Sequence, residues 1–232
     1  MDLPDPLFEG RLLRRYKRFL ADVALDDGAE VTAHCPNPGA MLGVAPEGGR
    51  VWLSHHDSPK RKLKYTWELV EADDALIGIN TGAPNRIAEE AVRAGRVAGL
   101  PQGAVRREVK YGRNSRIDLL IEPEGAPPCF VEVKNVHLSR QKGLAEFPDC
   151  VTARGAKHLA ELADRVRAGD RAVMLFVVQR PDCDRFALAR DIDAAYAKAF
   201  DAARQAGVEM LCYDCEVTIR SIVLRRRIEQ ID

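Results

Sequence analysis

The chain has 232 residues, 46% of them apolar and 30% charged, with 35 basic and 35 acidic side chains. That balance excludes a disordered tail protein, a collagen and a disulfide-stapled miniprotein. A net charge of zero means the whole-molecule field does not steer the protein to nucleic acid, so any such binding must rest on local patches.

At ~150 residues per domain, the length suits one large domain or two small ones. The longest fully apolar stretch, Ala172 to Val178, falls far short of the roughly 20 residues of a membrane-spanning helix. The opening Met-Asp-Leu-Pro-Asp-Pro is acidic and proline-broken, unlike a basic-then-apolar leader. These features point to a cytoplasmic protein with no membrane partner and six reduced cysteines.

Residues 8 to 79 read as β-structure. Short apolar runs at Leu12-Leu13, Phe19-Leu20, Val23-Leu25, Val31-Ala33, Val51-Leu53 and Trp67-Val70 are separated by Pro, Gly and Asp. Such spacing predicts a small barrel or sandwich, and about 70 residues suit a five-stranded OB-type barrel. Within this half, Arg14-Arg15-Tyr16-Lys17-Arg18-Phe19 interleaves cations with aromatics, and Lys60-Arg61-Lys62-Leu63-Lys64-Tyr65 repeats the pattern. Cations neutralise phosphates and aromatics stack on bases, so a nucleic-acid groove follows if both segments share a barrel face. The plainer alternative is a solvated charged hairpin. His34 and Cys35 do not form a catalytic pair, because neighbours on a strand point to opposite faces. Pro36, Asn37 and Gly39 make that segment a turn.

The pattern changes near residue 80, which divides the chain into 1–80 and 81–232. Residues 1–80 carry 10 basic and 13 acidic groups, against 25 and 22 in the remainder, so neither half is strongly basic. Pro84-Asn85 starts a helix with Ile87, Ala88, Ala91 and Val92 on one side. Strands follow at Val105 to Tyr111, Ile117 to Glu122 and Cys129 to Val136, then a helix from Thr152 to Ala168. A buried strand at Ala172 to Val178, a helix from Ile192 to Ala206, a strand at Val208 to Tyr213 and an edge strand at Ile219 to Leu224 complete a mixed α/β half. Cys212 and Cys215 form a lone CxxC without the second pair that zinc requires. Arg225-Arg226-Arg227 reads as a solvated tail.

Two apolar strands carry costly charges. Glu132 and Lys134 share one face of their strand, with Val133 on the other. A hairpin centred on Gly125 pairs Leu120 with Phe130 and Asp118 with Glu132. Paired Cβ atoms lie ~5 Å apart, where like charges repel. The arrangement is poor for stability but suited to gripping Mg²⁺, or Mn²⁺ in its place, together with water and phosphate oxygens. Lys134 is placed to orient or deprotonate an attacking water. The alternative is a charged, solvated hairpin face. Glu90, which a helical wheel puts nearer the apolar stripe than Glu89, is a candidate third acid. Glu108 is another, facing Asp118 if the preceding hairpin turns about Arg113. Arg116 lies beside this cluster. Arg154, Lys157 and His158 fall at i, i+3 and i+4, so they share a helix face able to grip a phosphate.

Asp118, thirteen residues, then Glu132-Val133-Lys134 resembles the PD-(D/E)xK nuclease core. The whole chain from about residue 8 resembles the sugar fermentation stimulation (SfsA) family. The resemblance is carried by Arg15 to Val23, His34-Cys35-Pro36-Asn37-Pro38-Gly39-Ala40-Met41, Glu108 to Gly112, Ser115 to Asp118, Phe147-Pro148-Asp149 and Thr152 to His158. Cys150 departs from the small residue expected there. The resemblance implies an N-terminal OB-like domain, a nuclease-like α/β domain, DNA binding and a link to maltose-gene regulation. The expectation is then a Mg²⁺-dependent nuclease. Asp118, Glu132 and the Val133 carbonyl would hold the metal, with Glu90 as third acid and Lys134 on the water. Arg15, Tyr16, Lys17, Arg18, Lys60, Arg61, Lys62 and Lys64 would contact DNA or RNA. The alternative is a non-enzymatic DNA-binding regulator on the same fold.

Overall fold

Alternating apolar positions in the first half produce six strands: β1 (Leu7–Tyr16), β2 (Leu20–Leu25), β3 (Glu30–His34), β4 (Arg50–His55), β5 (Tyr65–Ala72) and β6 (Ala75–Gly78). The structure is a computed structural model that describes residues 1–112 and 115–231. The sheet runs β3-β2-β1-β4-β5-β6, and β3 also pairs in parallel with β5 through Ala33–Tyr65 and His34–Thr66. That second pairing closes five strands into the expected OB barrel. Leu12, Val23, Val51, Leu53 and Trp67 fill it, and the fully buried Trp67 indole donates to the Leu69 carbonyl at 2.8 Å. The sixth strand, β6, was not separated by the sequence pattern. Its Gly78 N–H donates to the Gln179 carbonyl, joining the barrel to the second half.

The second half runs α1 (Pro84–Arg93), β7 (Ala104–Tyr111), β8 (Ser115–Glu122), β9 (Cys129–Val136), β10 (Leu138–Gln141), β11 (Leu144–Phe147), α2 (Ala153–Arg167), β12 (Arg171–Val178), β13 (Arg185–Leu188), α3 (Ala194–Gln205), β14 (Glu209–Val217), β15 (Ile222–Arg227) and β16 (Glu229–Gln230). Its main sheet has the order β15-β14-β12-β9-β8-β7, with β12 parallel to both neighbours. Both faces of β12 are covered, which is why its sequence is continuously apolar. Val173, Leu175 and Val177 pack with α1, through Ile87, Ala88 and Ala91. Met174, Phe176 and Val178 pack with α2 and α3, through Leu159, Leu162 and Phe200.

Two expectations are corrected here. Strands β10, β11, β13 and β16 form a second small sheet. Each has four residues or fewer, too short for periodicity to register. Arg225 to Arg227 are not a tail. They lie in β15, where Arg225 and Arg226 both bind the fully buried Asp214. The CxxC cysteines are buried on opposite faces of β14, Cys215 in the core on the α1 side and Cys212 in the core on the α2–α3 side.

Candidate active site

Leu119, Leu120 and Ile121 of β8 pair with Val131, Phe130 and Cys129 of β9, the register that sets Asp118 opposite Glu132. Beyond Leu119 the side chain replaces the backbone ladder: the Val133 N–H donates to Asp118 Oδ2 at 2.7 Å. Asn85, in the first turn of α1, donates to Asp118 Oδ1 at 2.7 Å. Burial, reinforced by repulsion from Glu132, pushes the Asp118 carboxyl up to about 6 against these bonds.

Glu132 is only 2% exposed. Its Oε1 accepts from Lys134 Nζ at 2.7 Å and from the His158 ring of α2. Burial opposes its charge, but the bonds from His158 and Lys134 outweigh burial and hold the carboxyl below its ordinary value. Its Oε2 is buried with no hydrogen-bond partner.

These groups open on a cleft of about 290 Å³. Glu108 and Arg116 form one side, and Thr152, Arg154, Gly155 and His158 the other. The Thr152 side chain caps α2 by accepting from the Gly155 N–H, so the amino end of that helix borders the cleft. Backbone N–H groups there favour an anion.

Some candidates are brought together and others are not. Glu90 is not at the cleft. The Met1 amine holds it at 2.6 Å and Arg86 at 3.3 Å, while Glu89 turns out to be the more buried of the pair. Glu108 reaches the cleft instead; it faces Asp118 in the β7–β8 register with a left-handed backbone at φ 51°. The predicted turn residue Arg113 lies outside the described residues. Arg154 and His158 line the cleft, but Lys157 pairs with Glu161 at 3.6 Å.

On the barrel, the Arg15 guanidinium is consumed by the carbonyls of Arg18, Asn37 and Gly39, and the Tyr16 hydroxyl by Asp22. Arg61 binds Thr66, and Lys64 binds the Ser58 carbonyl. Lys17, Arg18, Lys60 and Lys62 are exposed. The two segments meet around the end of β3, where His34 stacks on Phe19 and pairs with Thr66. Sequence reasoning missed Asn85, Thr81 and Thr152; their only signals, a helix start and a helix cap, concern local structure.

Residues 13–79 match the family model of the SfsA N-terminal OB domain, and residues 82–221 that of the sugar fermentation stimulation protein RE domain. The chain belongs to the SfsA family. The sugar fermentation stimulation protein homolog of Maricaulis maris (strain MCS10) is 59% identical over 227 residues, covering 97% of each chain. That of Jannaschia sp. (strain CCS1) is 58% identical, covering 97% of this chain and 94% of its own. The structure of Pyrococcus furiosus SfsA in complex with Ca²⁺ superposes with a TM-score of 0.89 at 26% identity, covering 100% of this chain and 98% of that one.

The donor set accommodates a hard divalent cation of the kind the SfsA resemblance implies. Asp118 and the unpartnered Oε2 of Glu132 supply carboxylate oxygens, and Val133 borders the same space. Among the described residues, no three His, Cys, Asp or Glu side chains converge into a complete metal cage. A two-carboxylate set suits Mg²⁺, which keeps several waters and uses substrate phosphate as ligand.

Proposed function

We propose that this SfsA-family protein hydrolyses phosphodiester bonds in nucleic acid with Mg²⁺ or Mn²⁺. The observation that carries this reading is Glu132, a carboxylate 2% exposed with one oxygen unpartnered, set beside an Asp118 whose carboxyl is pushed up to about 6. Two such groups oppose one another in a fold that gains nothing from their repulsion. A bound Mg²⁺ would supply Lewis-acid stabilisation and a more acidic water.

The chain's own residues do the rest. His158 fixes the Glu132 carboxylate through Oε1, and Oε2 carries no hydrogen bond. Lys134, 2.7 Å from Glu132, is positioned to orient water or a phosphate oxygen. Asn85 and the Val133 N–H fix Asp118. Arg116, Arg154 and the start of α2 would hold the phosphate. Lys17, Arg18, Lys60 and Lys62 on the barrel would hold the strand's backbone.

A second reading, a DNA-binding regulator of sugar genes without catalysis, draws support from the relatives' name and from Lys134 and His158, which already occupy Glu132 Oε1. One experiment separates them: cleavage of single- and double-stranded DNA and RNA with and without Mg²⁺, by wild type, Asp118→Ala and Glu132→Ala. The nuclease reading expects wild-type cleavage that both variants lose while binding in EDTA persists. Equal residual cleavage by all three, with binding intact, overturns it in favour of the regulator.

A further inference from the structure

Two motifs remain without a role in this chemistry: Pro36-Asn37-Pro38-Gly39 on the barrel and Phe147-Pro148-Asp149 between β11 and α2. The fold brings them together. The Met41 N–H donates to Asp149 Oδ2 at 3.0 Å. Gly39 lies so close that a Cβ there would sit 2.3 Å from the same oxygen and push the Asp149 carboxylate aside. The Arg15 fork gathers the carbonyls of Arg18, Asn37 and Gly39, fixing the barrel side of the junction.

Between the motifs lies a recess of about 190 Å³. It shares Thr81 and Thr152 with the acidic cleft, so the two are neighbours. Pro38, Phe147 and Pro148 supply apolar walls, and Asn135, His137 and Asp149 supply polar edges. His137 is 4% exposed, with its Nδ1 3.1 Å from the Asn135 amide and its Nε2 3.3 Å from Asp149 Oδ2. Phe19, Leu42 and Val151, each next in sequence to a residue of these knitted segments, are exposed apolar side chains.

Resting on the nuclease or nucleic-acid-binding reading above, we propose that this recess takes one unpaired nucleobase of the strand whose phosphate lies in the acidic cleft. A planar ring with a polar edge matches apolar walls and a buried polar rim. The volume lies below the ~300–1,000 Å³ of drug-sized sites, so it admits a single ring system and not a paired base step. A base inside a duplex cannot enter without leaving its stack. The substrate class is therefore single-stranded nucleic acid, or a duplex with an unpaired nucleotide at that position.

Cys150 provides the test. It lines the recess and is half-buried, whereas the other five cysteines are buried. The full-length protein in EDTA is titrated with a twelve-nucleotide single-stranded DNA, then with versions carrying one abasic site at each position. In parallel, alkylation of Cys150 by N-ethylmaleimide is followed by peptide mass mapping. One abasic position should weaken binding about tenfold, the scale of a single lost base stack. The intact oligonucleotide should slow Cys150 alkylation, and inorganic tripolyphosphate should not. Protein alkylated beforehand should bind the parent oligonucleotide about tenfold more weakly and no longer distinguish it from the sensitive abasic version. Tight binding with no sensitive abasic position overturns the base site and leaves the nucleic-acid reading intact. So does a fully paired duplex that protects Cys150 equally well. Failure of every oligonucleotide to bind overturns both.

Discussion

Two buried carboxylates on one sheet have opposite surroundings. Asp214 on β14 is fully buried, and both its oxygens are filled: Oδ1 by the Arg226 N–H at 3.0 Å and Arg225 Nε at 3.2 Å, Oδ2 by Arg226 Nε at 3.0 Å and a second Arg225 nitrogen. Glu132 on β9 is almost as buried, but one oxygen is left bare and another acid, Asp118, stands beside it. Burying a charge is costly unless it is paired and hydrogen-bonded. Asp214 meets that requirement inside the protein and is structural. Glu132 meets it only in part, and the remainder is what a cation and its phosphate ligand would complete.

Breaking the completed site should have the largest effect on stability. Arg225→Ala with Arg226→Ala strands the Asp214 charge, and urea unfolding should show a loss of roughly 3–5 kcal/mol. Cleavage per folded molecule should be unchanged. Breaking the incomplete site should do the reverse. Asp118→Ala and Glu132→Ala should cut Mg²⁺-dependent cleavage by well over a hundredfold, on the order of the loss of a catalytic metal. The melting temperature of Asp118→Ala should hold or rise, because the repulsion is relieved; a marked fall would make Asp118 a structural element like Asp214.

The pH dependence of stability sharpens the contrast. Asp118, at about 6 when folded against an ordinary 3.8, takes up a proton more readily in the native state. Its effect on stability is most favourable below pH 4 and is lost as pH rises through 6, a fall of about 3 kcal/mol. Asp118→Asn should remove that fall. Asp149 behaves oppositely. Burial alone would raise its carboxyl, but His137 and the Met41 N–H bring it down to about 2. Its contribution is present above pH 4 and lost as pH falls through 2, about 2 kcal/mol in all. Asp149→Asn should therefore weaken the protein at neutral pH. Urea midpoints from about pH 1.5 to 8 measure both, and parallel curves for the two variants would refute the contrast.

The smallest effect concerns the barrel. Lys60→Ala and Lys62→Ala should each lower the slope of log affinity against log salt by ~0.7–0.9. Arg61→Ala and Lys64→Ala should change it less, because those side chains are tied to Thr66 and the Ser58 carbonyl. Slopes unchanged from wild type in all four would place the loop outside the footprint.

The barrel, the α/β second half and the facing of Asp118 with Glu132 were legible in the order of residues alone. These depend on local quantities: alternation on a strand, helical spacing, and a hairpin whose register follows from its turn. Spacing also put Glu132 and Lys134 on one face. It misplaced Glu90, because a helical wheel shows which side of α1 is apolar but not that the Met1 amine waits there. It overcounted the cations, because nothing in Arg14 to Phe19 shows that the Arg15 fork is spent on carbonyls up to 24 residues away. Folding in three dimensions was needed to show that Asn85 reaches Asp118, that His158 holds Glu132, and that two turn motifs over a hundred residues apart in sequence close around one recess. Those contacts join segments distant along the chain: packing of α1 and α2 on the second-half sheet, and of the barrel against it, brings them together, and no periodicity shows it.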